Sequence, residues 1–200
     1  MIKNHILLVL LFCFATANAQ NTSTAPALAS VEKSLFNVQV GAIGFYVSNE
    51  ARISNRWALR TELGLDMWFY ETYNWNSYGD SKKGAILAPS IGLEPRWYYN
   101  LKKRAGKGKN IENNSASFVT LAIKYYSDAF KIGGPDGLYI PNQVSFVPKW
   151  GIRRAIAKSN FNYELGIGIG PIWYLDKTRN YKDQYDITAD VHIRLGYTFK

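Results

Sequence analysis

Apolar and polar side chains alternate without a break through residues 57–70, WALRTELGLDMWFY. A period of two places alternate residues on opposite faces of one strand. The more apolar face carries Trp57, Leu59, Thr61, Leu63, Leu65, Met67 and Phe69. Strands in soluble proteins are typically about 5 to 6 residues long, whereas a tilted membrane-spanning strand needs about 9 to 11. The segment is therefore long enough to cross a bilayer.

The same alternation continues almost to the end of the chain and predicts eight strands. We place them at 35–44, 46–54, 57–70, 85–101, 115–128, 143–157, 161–175 and 186–199. The turns at 55–56 and 158–160 are short, while the connections at 71–84, 129–142 and 176–185 are long and polar. Short turns alternating with long loops favour an all-β fold, a closed up-and-down antiparallel transmembrane β-barrel of eight strands.

Two connections fit this scheme less well. The first hairpin carries no turn signal except Gly44, and the connection at 102–114 is long where a short turn is expected. Pro89, Pro95 and Pro148 fall on outward faces within strands, where each removes a backbone donor. Because a closed barrel has no edge, we expect β-bulges at these prolines.

The N-terminus has the form of a secretory signal peptide. Residues 1–19 contain Lys3, an apolar run and the small-x-small sequence Ala17-Asn18-Ala19, with cleavage expected after Ala19. Residues 20–33 are rich in Ser, Thr, Ala and Pro and predict a flexible leader, followed by a barrel domain at 34–200. The only cysteine, Cys13, lies in the signal peptide, so the mature chain forms no disulfide.

The chain is basic, with 24 Lys and Arg against 15 Asp and Glu. An exported protein rarely meets nucleic acid, so membrane lipids and lipopolysaccharide are the expected partners. Five basic residues lie in the connection at 102–114, namely Lys102, Lys103, Arg104, Lys107 and Lys109. By the order of the strands this connection faces the periplasm, where it would contact anionic headgroups or the cell wall. A solvated flexible loop is the alternative interpretation.

Aromatic side chains gather at the two ends of the strands. They include Trp57, Trp68, Phe69, Trp97, Tyr99, Tyr125, Phe161, Tyr163, Trp173, Tyr197 and Phe199. Two aromatic girdles are typical of membrane barrels, because amphipathic rings favour the membrane interface. The alternative is a secreted lipocalin-like binding barrel, in which large aromatics would lie in mid-strand.

The chain ends in Leu195-Gly196-Tyr197-Thr198-Phe199 and then Lys200. With the strand count and the girdles, this ending resembles the small eight-stranded outer-membrane barrels of Gram-negative bacteria, such as the OmpA-type membrane domain. The resemblance covers residues 35–199. It implies a location in the bacterial outer membrane and contact with the outer-membrane assembly machinery; we expect a monomer. The family usually ends on the final aromatic, which Lys200 follows here.

Charged residues recur on the other face of the strands. They are Glu50, Arg52, Arg60, Glu62, Asp66, Glu94, Arg96, Lys124, Lys149, Arg153, Glu164, Asp190, His192 and Arg194. An eight-stranded barrel is just wide enough inside for side chains to fill, and buried charges are costly unless paired. We therefore predict a plugged lumen with a closed charge network and no wide pore. A structural or surface-interaction role through long external loops follows, with a narrow channel as an alternative.

Residues for catalysis are sparse. His192 is the only histidine after the signal peptide, and Ser127 has no histidine in its strand. Some barrels of the resembled type hydrolyse lipid A with a His, Ser and Glu set, but a serine without a nearby base is a weak nucleophile. One histidine and no cysteine exclude a nitrogen and sulfur metal site. We predict no enzyme activity, metal or cofactor, and keep a lipid A-modifying hydrolase as an alternative.

Overall fold

The computed structural model describes residues 29–73, 81–176 and 184–199. These residues form the eight strands β1 Ser34–Gly41, β2 Gly44–Ser54, β3 Trp57–Tyr73, β4 Ser81–Trp97, β5 Ser117–Tyr126, β6 Gln143–Ala155, β7 Phe161–Tyr174 and β8 Tyr185–Phe199. Each strand pairs antiparallel with the next, and β1 pairs with β8 to close the ring. The predicted all-β, up-and-down, eight-stranded closed barrel is confirmed. The predicted signal peptide lies outside the described residues.

The barrel has two distinct ends. We call the end with the turns at 55–56 and 156–160 the short-turn end. The opposite end, which includes the connection at 127–142, we call the long-loop end. One short helix, α1 (Leu101–Ala105), and a 3-10 turn (Glu112–Asn114) lie at the short-turn end. No helix within the described residues is long and apolar enough to cross a membrane.

The first hairpin turns earlier than the sequence predicts. β1 ends at Gly41, and the two-residue turn Ala42-Ile43 leads directly into Gly44 at the start of β2. Gly44 has a φ of 152°, a conformation that side-chain-bearing residues rarely adopt. A Cβ at this position would also overlap the carbonyl oxygen of Leu65. Glycine is therefore required here by a close backbone approach at the strand start.

The β3–β4 hairpin is longer than predicted. The expected loop at 71–84 is strand at both of its ends, because Glu71 pairs with Lys83 and Tyr73 pairs with Ser81. Lys83 Nζ lies 3.0 Å from Glu71 Oε1. Cross-strand pairs of opposite charge stabilise a ladder without apolar alternation, so hydrophobic periodicity ended the predicted strand too early.

None of the three strand prolines creates the predicted bulge: Pro89 pairs in register with Leu65, and the other two only interrupt pairing. The β4–β5 ladder skips the positions around Pro95, and the β6–β7 ladder skips residues 146–148, which include Pro148. In both ladders pairing resumes in the same register, so the predicted bulges at these two prolines are wrong. The irregularity in register lies instead in β2, between Arg52 and Ser54.

Glycine allows β7 to pack closely on the unpaired part of β6. A Cβ on Gly170 would overlap the carbonyl oxygen of Phe146 and lie 2.9 Å from the Cα of Val147. Both contacts are with backbone atoms, which cannot move aside as a flexible side chain can. The two strands therefore lie against each other where their hydrogen bonds are missing.

The short-turn end is closed by a small apolar cluster. Its buried members are Val31, Ala58, Tyr98, Leu101, Ala116 and Phe118, with Ile111 packed against them. The Val31 backbone amide donates to Asn55 O at 3.1 Å. Residues 29–33 therefore belong to the folded structure and not to the predicted flexible leader. The interpretation of 102–114 as a flexible loop is also wrong, because this connection is folded onto the barrel end.

A second apolar cluster lies at the long-loop end. Ile86, Ala88 and Ile140 are buried there, with Trp68, Tyr70 and Leu138 packed against them. Leu138 and Ile140 belong to the connection at 127–142, so this connection covers part of the barrel mouth. Side chains between these two clusters fill the lumen.

We expect Gly170→Ala to destabilise the barrel, because the new methyl group would displace the β6 backbone. The free energy of unfolding should fall by about 2 kcal/mol or more, as for other strained or overpacked sites. Urea unfolding of the refolded barrel, followed by tryptophan fluorescence, measures this change.

Gly92→Ala is the matched control. Gly92 also faces inward from a strand, but its Cβ would meet the nearest atom, Glu62 Cβ, at 3.5 Å. This variant should stay within about 0.5 kcal/mol of the wild type. Equal stability of the two variants would contradict the close packing of β6 and β7.

Candidate functional site

The lumen contains thirteen of the fourteen predicted network residues. Arg52 is the exception: its side chain is exposed at the short-turn end, next to the irregularity in β2. The period of two assigned Arg52 to the inner face, but the strand leaves the regular barrel wall at this point. The prediction for Arg52 is therefore wrong.

Because Arg52 lies outside the lumen, the charges that face the lumen are balanced. Within the described residues, the inward-facing acids are Glu50, Glu62, Asp66, Glu94, Glu164 and Asp190. The permanent bases facing them are Arg60, Arg96, Lys124, Lys149, Arg153 and Arg194. Six carboxylates thus meet six cations, with His192 beside them, and the lumen needs no counterion from solvent.

The Glu164 carboxylate lies at the centre of the network. Arg96 Nη2 donates to Glu164 Oε1 at 2.8 Å, and Arg60 Nη1 donates to the same carboxylate at 3.2 Å. Arg153 Nη1 lies 3.7 Å from Glu164 Oε2. All four side chains have no solvent exposure. A single buried carboxylate therefore neutralises part of the charge on three guanidinium groups from three other strands.

Glu50 connects the network to the apolar cluster at the short-turn end. The Tyr98 hydroxyl and Asn114 Nδ2 donate to Glu50 Oε1 at 2.7 and 2.5 Å. Arg96 Nη1 lies 3.5 Å and Arg153 Nη1 3.7 Å from Glu50 Oε2. Tyr98 and Asn114 both belong to the connection between β4 and β5. The lumen charges therefore also hold this connection in place.

Toward the long-loop end the pairs are simpler. Arg194 Nη1 donates to Glu62 Oε2 at 2.6 Å, and Lys124 Nζ donates to Asp66 Oδ1 at 2.7 Å. Tyr46 also donates its hydroxyl to Asp66 Oδ1, at 3.0 Å. A cavity of about 200 Å³ lies among these side chains. Each charged side chain lining this cavity is bonded to an oppositely charged side chain of the lumen.

Lys149 bridges two carboxylates on opposite sides of the lumen. Its Nζ donates to Glu94 Oε1 and to Asp190 Oδ2, both at 2.9 Å. His192 Nδ1 lies 3.2 Å from Asp190 Oδ1, and its Nε2 lies 3.4 Å from Glu164 Oε1. Both ring nitrogens of His192 thus face carboxylates.

Within the described residues, no group of three or more His, Cys, Asp or Glu side chains is arranged to hold a metal ion. The predictions of no enzyme activity and no cofactor stay predictions. The arrangement of the described lumen residues is one of paired charges.

Uncharged polar residues complete the lumen, and the sequence reasoning missed them. Gln39 Oε1 accepts from Arg60 Nη2 at 2.5 Å, and Asn162 Nδ2 donates to Asn37 Oδ1 at 2.9 Å. Thr198 Oγ1 accepts from Asn162 at 3.1 Å. The same period of two places these residues on inner faces, but only charged positions were selected as candidates.

The outer surface carries the large apolar side chains. Ile167, Ile169, Ile187, Val191, Ile193 and Leu195 are each between 57% and 70% exposed. The rings of Trp57 and Trp97 stack at 6.1 Å, and those of Phe161 and Tyr197 meet edge to face at 5.2 Å. Outward-facing aromatics therefore form a belt at the short-turn end, with ring contacts between β3 and β4 and between β7 and β8.

Trp68 does not belong to an outer girdle. Its strand phase turns it inward, where it packs in the apolar cluster at the long-loop end. Its ring meets that of Tyr126 edge to face, with a centroid distance of 5.5 Å. The predicted girdle role is wrong for this residue, because Trp68 lies near the strand end but on the inner face of the strand.

A hydrogen-bonded clamp holds the connection at 127–142. Asp176, just after β7, accepts hydrogen bonds from the Tyr139 hydroxyl and from the Asn142 backbone amide. These bonds hold the pKa of Asp176 below its usual range. Asn142 Oδ1 in turn accepts from the Tyr125 hydroxyl at 2.7 Å. The loop is therefore fixed to the ends of two strands at neutral pH.

The basic connection presents its lysines on a folded base. Lys102 and Lys103 are exposed on α1, while Leu101 in the same helix is fully buried. Arg104 Nη2 donates to the Asn110 carbonyl oxygen at 2.8 Å, which closes the following loop. Lys107 and Lys109 are exposed in that loop.

Comparison with protein-family models gives no match, and comparisons with curated proteins and with solved structures give none.

We expect Glu164→Gln to destabilise the barrel strongly. The change leaves three buried arginines with one fewer anion, and breaking a buried ion pair costs about 3 to 5 kcal/mol. Urea unfolding of the refolded barrel measures the loss. The matched control is Glu71→Gln, which breaks the exposed pair with Lys83 and should cost about 0 to 1 kcal/mol. Similar losses in the free energy of unfolding for both variants would show that the buried ion pairs around Glu164 are not formed.

Proposed function

We propose that this protein is a monomeric, non-enzymatic β-barrel of the bacterial outer membrane, with a plugged lumen and a structural or surface-interaction role. One observation carries the proposal: the distribution of side chains is inside out. Arg60, Arg96 and Arg153 are fully buried in the lumen, whereas Ile187 and Leu195 are 70% and 61% exposed outside. In water such a surface would be a large exposed apolar patch, which soluble monomers avoid. In lipid it is the favourable arrangement.

A soluble lipocalin-like barrel is disfavoured by the same observation. Such a barrel holds a small ligand in its interior and presents polar residues to water. Here Glu50, Glu164 and the buried arginines occupy the interior, and they are bonded to one another. The cavity among the described lumen side chains near Lys124 has a volume of about 200 Å³, which is below the usual range for ligand pockets.

The network also disfavours a wide channel. The pairs around Glu164 and Glu50 join five strands, β2, β3, β4, β6 and β7, and Tyr98 and Phe118 close the short-turn end. A solute would have to break several buried pairs to pass. A narrow channel is the second candidate, and the cavity near Lys124 and Arg194 is the observation that favours it.

Surface interaction is assigned to the long-loop end. The connection at 127–142 is held by the Asp176 clamp, and it exposes Phe130 and Ile132, which are 51% and 52% accessible. Exposed apolar side chains on a fixed loop are suited to contact with another molecule. Contacts with lipopolysaccharide and with the assembly machinery belong to this proposal as well. The lipid A hydrolase alternative would lose its support if replacing His192 left lipid A acylation unchanged.

Fractionation and gel migration test the membrane location. We expect the mature chain in the outer-membrane fraction, with unheated samples migrating at a different apparent mass from heated ones, because a closed barrel resists unfolding in detergent. Recovery as a soluble periplasmic protein without heat modifiability would refute the proposal.

Conductance separates a plugged barrel from a channel. Reconstitution into planar bilayers should give no large, stable conductance steps, because paired side chains fill the lumen. Small, reproducible steps that grow in the Glu164→Gln variant would favour the narrow channel instead.

A further inference from the structure

We propose that the short-turn end binds the anionic headgroups of phospholipids in the leaflet it contacts, through a basic surface built on the connection between β4 and β5. This inference rests on the proposed membrane location. The basic surface comprises Lys33, Arg52, Arg56, Lys102, Lys103, Arg104, Lys107, Lys109, Arg154 and Lys158.

The distribution of charge along the barrel axis is the first argument. Within the described residues, the lumen is neutral, and the short-turn end adds only Glu32 and Glu112 to its ten basic residues, a net charge of +8. The described residues of the long-loop end have three bases, Lys82, Lys83 and Lys131, against five acids, a net charge of −2. The basic surplus of the described chain is therefore concentrated at one end.

The rigidity of the basic surface is the second argument. Leu101 anchors α1 in the apolar cluster, and Arg104 closes the next loop onto Asn110. Asn100 Oδ1 accepts from the Ser117 backbone amide at 2.8 Å, at the start of β5. A solvated loop would lose conformational entropy on binding, whereas this backbone is already ordered. Lipid binding therefore does not have to order this backbone, and the corresponding conformational entropy is not lost on binding.

Position relative to the aromatic belt is the third argument. Tyr99 faces outward in the belt, where its hydroxyl accepts from Trp150 Nε1 at 2.9 Å. Lys102 follows three residues later, so its Cα lies within about 11 Å of that of Tyr99. Aromatic belts mark the headgroup level, and lysine side chains extend toward it with their charged ends. The ammonium groups are thus within reach of lipid phosphates at that level.

Anionic phospholipid is the partner that this geometry favours. Juxtamembrane basic residues each contribute about 1 kcal/mol near an anionic surface. A set of separated lysine charges can bind such a surface without a shaped pocket. A cell-wall polymer would contact the end from below, where the charges would not need to lie beside the belt. Lys102 and Lys103 lie only a few residues beyond the belt residue Tyr99.

Lipid selectivity measured by fluorescence quenching tests the inference. The full mature chain is reconstituted in bilayers of brominated phosphatidylglycerol or brominated phosphatidylcholine, and quenching of the native tryptophans gives the ratio of lipid association constants. Trp57, Trp97 and Trp150 report on the short-turn end. We expect the association constant for the anionic lipid to exceed that for the neutral lipid by at least about fivefold at 50 mM salt. One lysine near an anionic surface contributes about 1 kcal/mol, which corresponds to this ratio. The preference should be largely lost at 1 M salt.

Two matched lysine pairs localise the effect. Lys102→Gln with Lys103→Gln should lower the preference at least about threefold, and adding Lys107→Gln with Lys109→Gln should lower it further. Lys82→Gln with Lys83→Gln, at the opposite end of the barrel, should leave it within the error of the measurement. Heat-modifiable migration of each variant confirms that the barrel is folded.

Three results would overturn the inference. In the first, the wild type shows no preference for anionic lipid. In the second, both lysine pairs change this preference equally. In the third, the basic surface binds purified cell-wall sacculi and shows no lipid preference. In each case an inserted, heat-modifiable barrel would leave the proposed membrane location intact. A chain that does not insert would overturn both.

Discussion

Charges inside the barrel must pair with one another, because an eight-stranded wall leaves too little room for the water that would otherwise solvate them. The structure meets this constraint with equal numbers of carboxylates and permanent cations in the described lumen. Glu164 is the residue on which most of this balance depends, since it contacts Arg60, Arg96 and Arg153 together. Each arginine comes from a different strand. Pairing therefore joins strands that are not neighbours in the sheet.

The same network couples the lumen to the surface at the short-turn end. Glu50 accepts hydrogen bonds from Tyr98 and Asn114, which frame the basic connection between β4 and β5. Asn114 Oδ1 also accepts from the Glu32 backbone amide at 2.7 Å, so the segment before β1 is held by the same side chain. A buried ion pair is weak evidence for stability alone. Here it also fixes the position of two segments outside the sheet.

Much of the fold follows from the period of two alone. Strand number, antiparallel order and the inward position of residues such as Arg60 and Glu164 were all predictable, because alternation assigns faces without any tertiary information. The errors arise where a local feature breaks the alternation. The irregularity in β2 carries Arg52 out of the lumen, and the charge pair of Glu71 and Lys83 continues a ladder that shows no apolar pattern.

Folding of the connection at 102–114 was not predictable in this way. Its composition is that of a solvated loop, and its order comes from contacts with distant residues, including Val31 and Phe118. Leu101, just before this connection, and Ile111 within it are its apolar anchors, and each is a single residue without periodicity. Local sequence therefore fails where a few long-range contacts determine the structure.

The division of charge between the lumen and the two ends makes the described structure electrically polar along the barrel axis. A neutral lumen contributes little net field along the barrel axis, so the +8 at the short-turn end and the −2 of the described long-loop end set the electrostatic polarity of the described structure. Exposed charges separated by more than about 8 Å are screened at physiological ionic strength, so each end acts on its own surroundings. In the proposed membrane location, the basic end would attract the anionic headgroups of its own leaflet. The loops at the other end would make their contacts independently of this attraction. The charge network inside the barrel nevertheless positions the connection that carries Lys102 and Lys103, because Glu50 accepts hydrogen bonds from Tyr98 and Asn114 on either side of it.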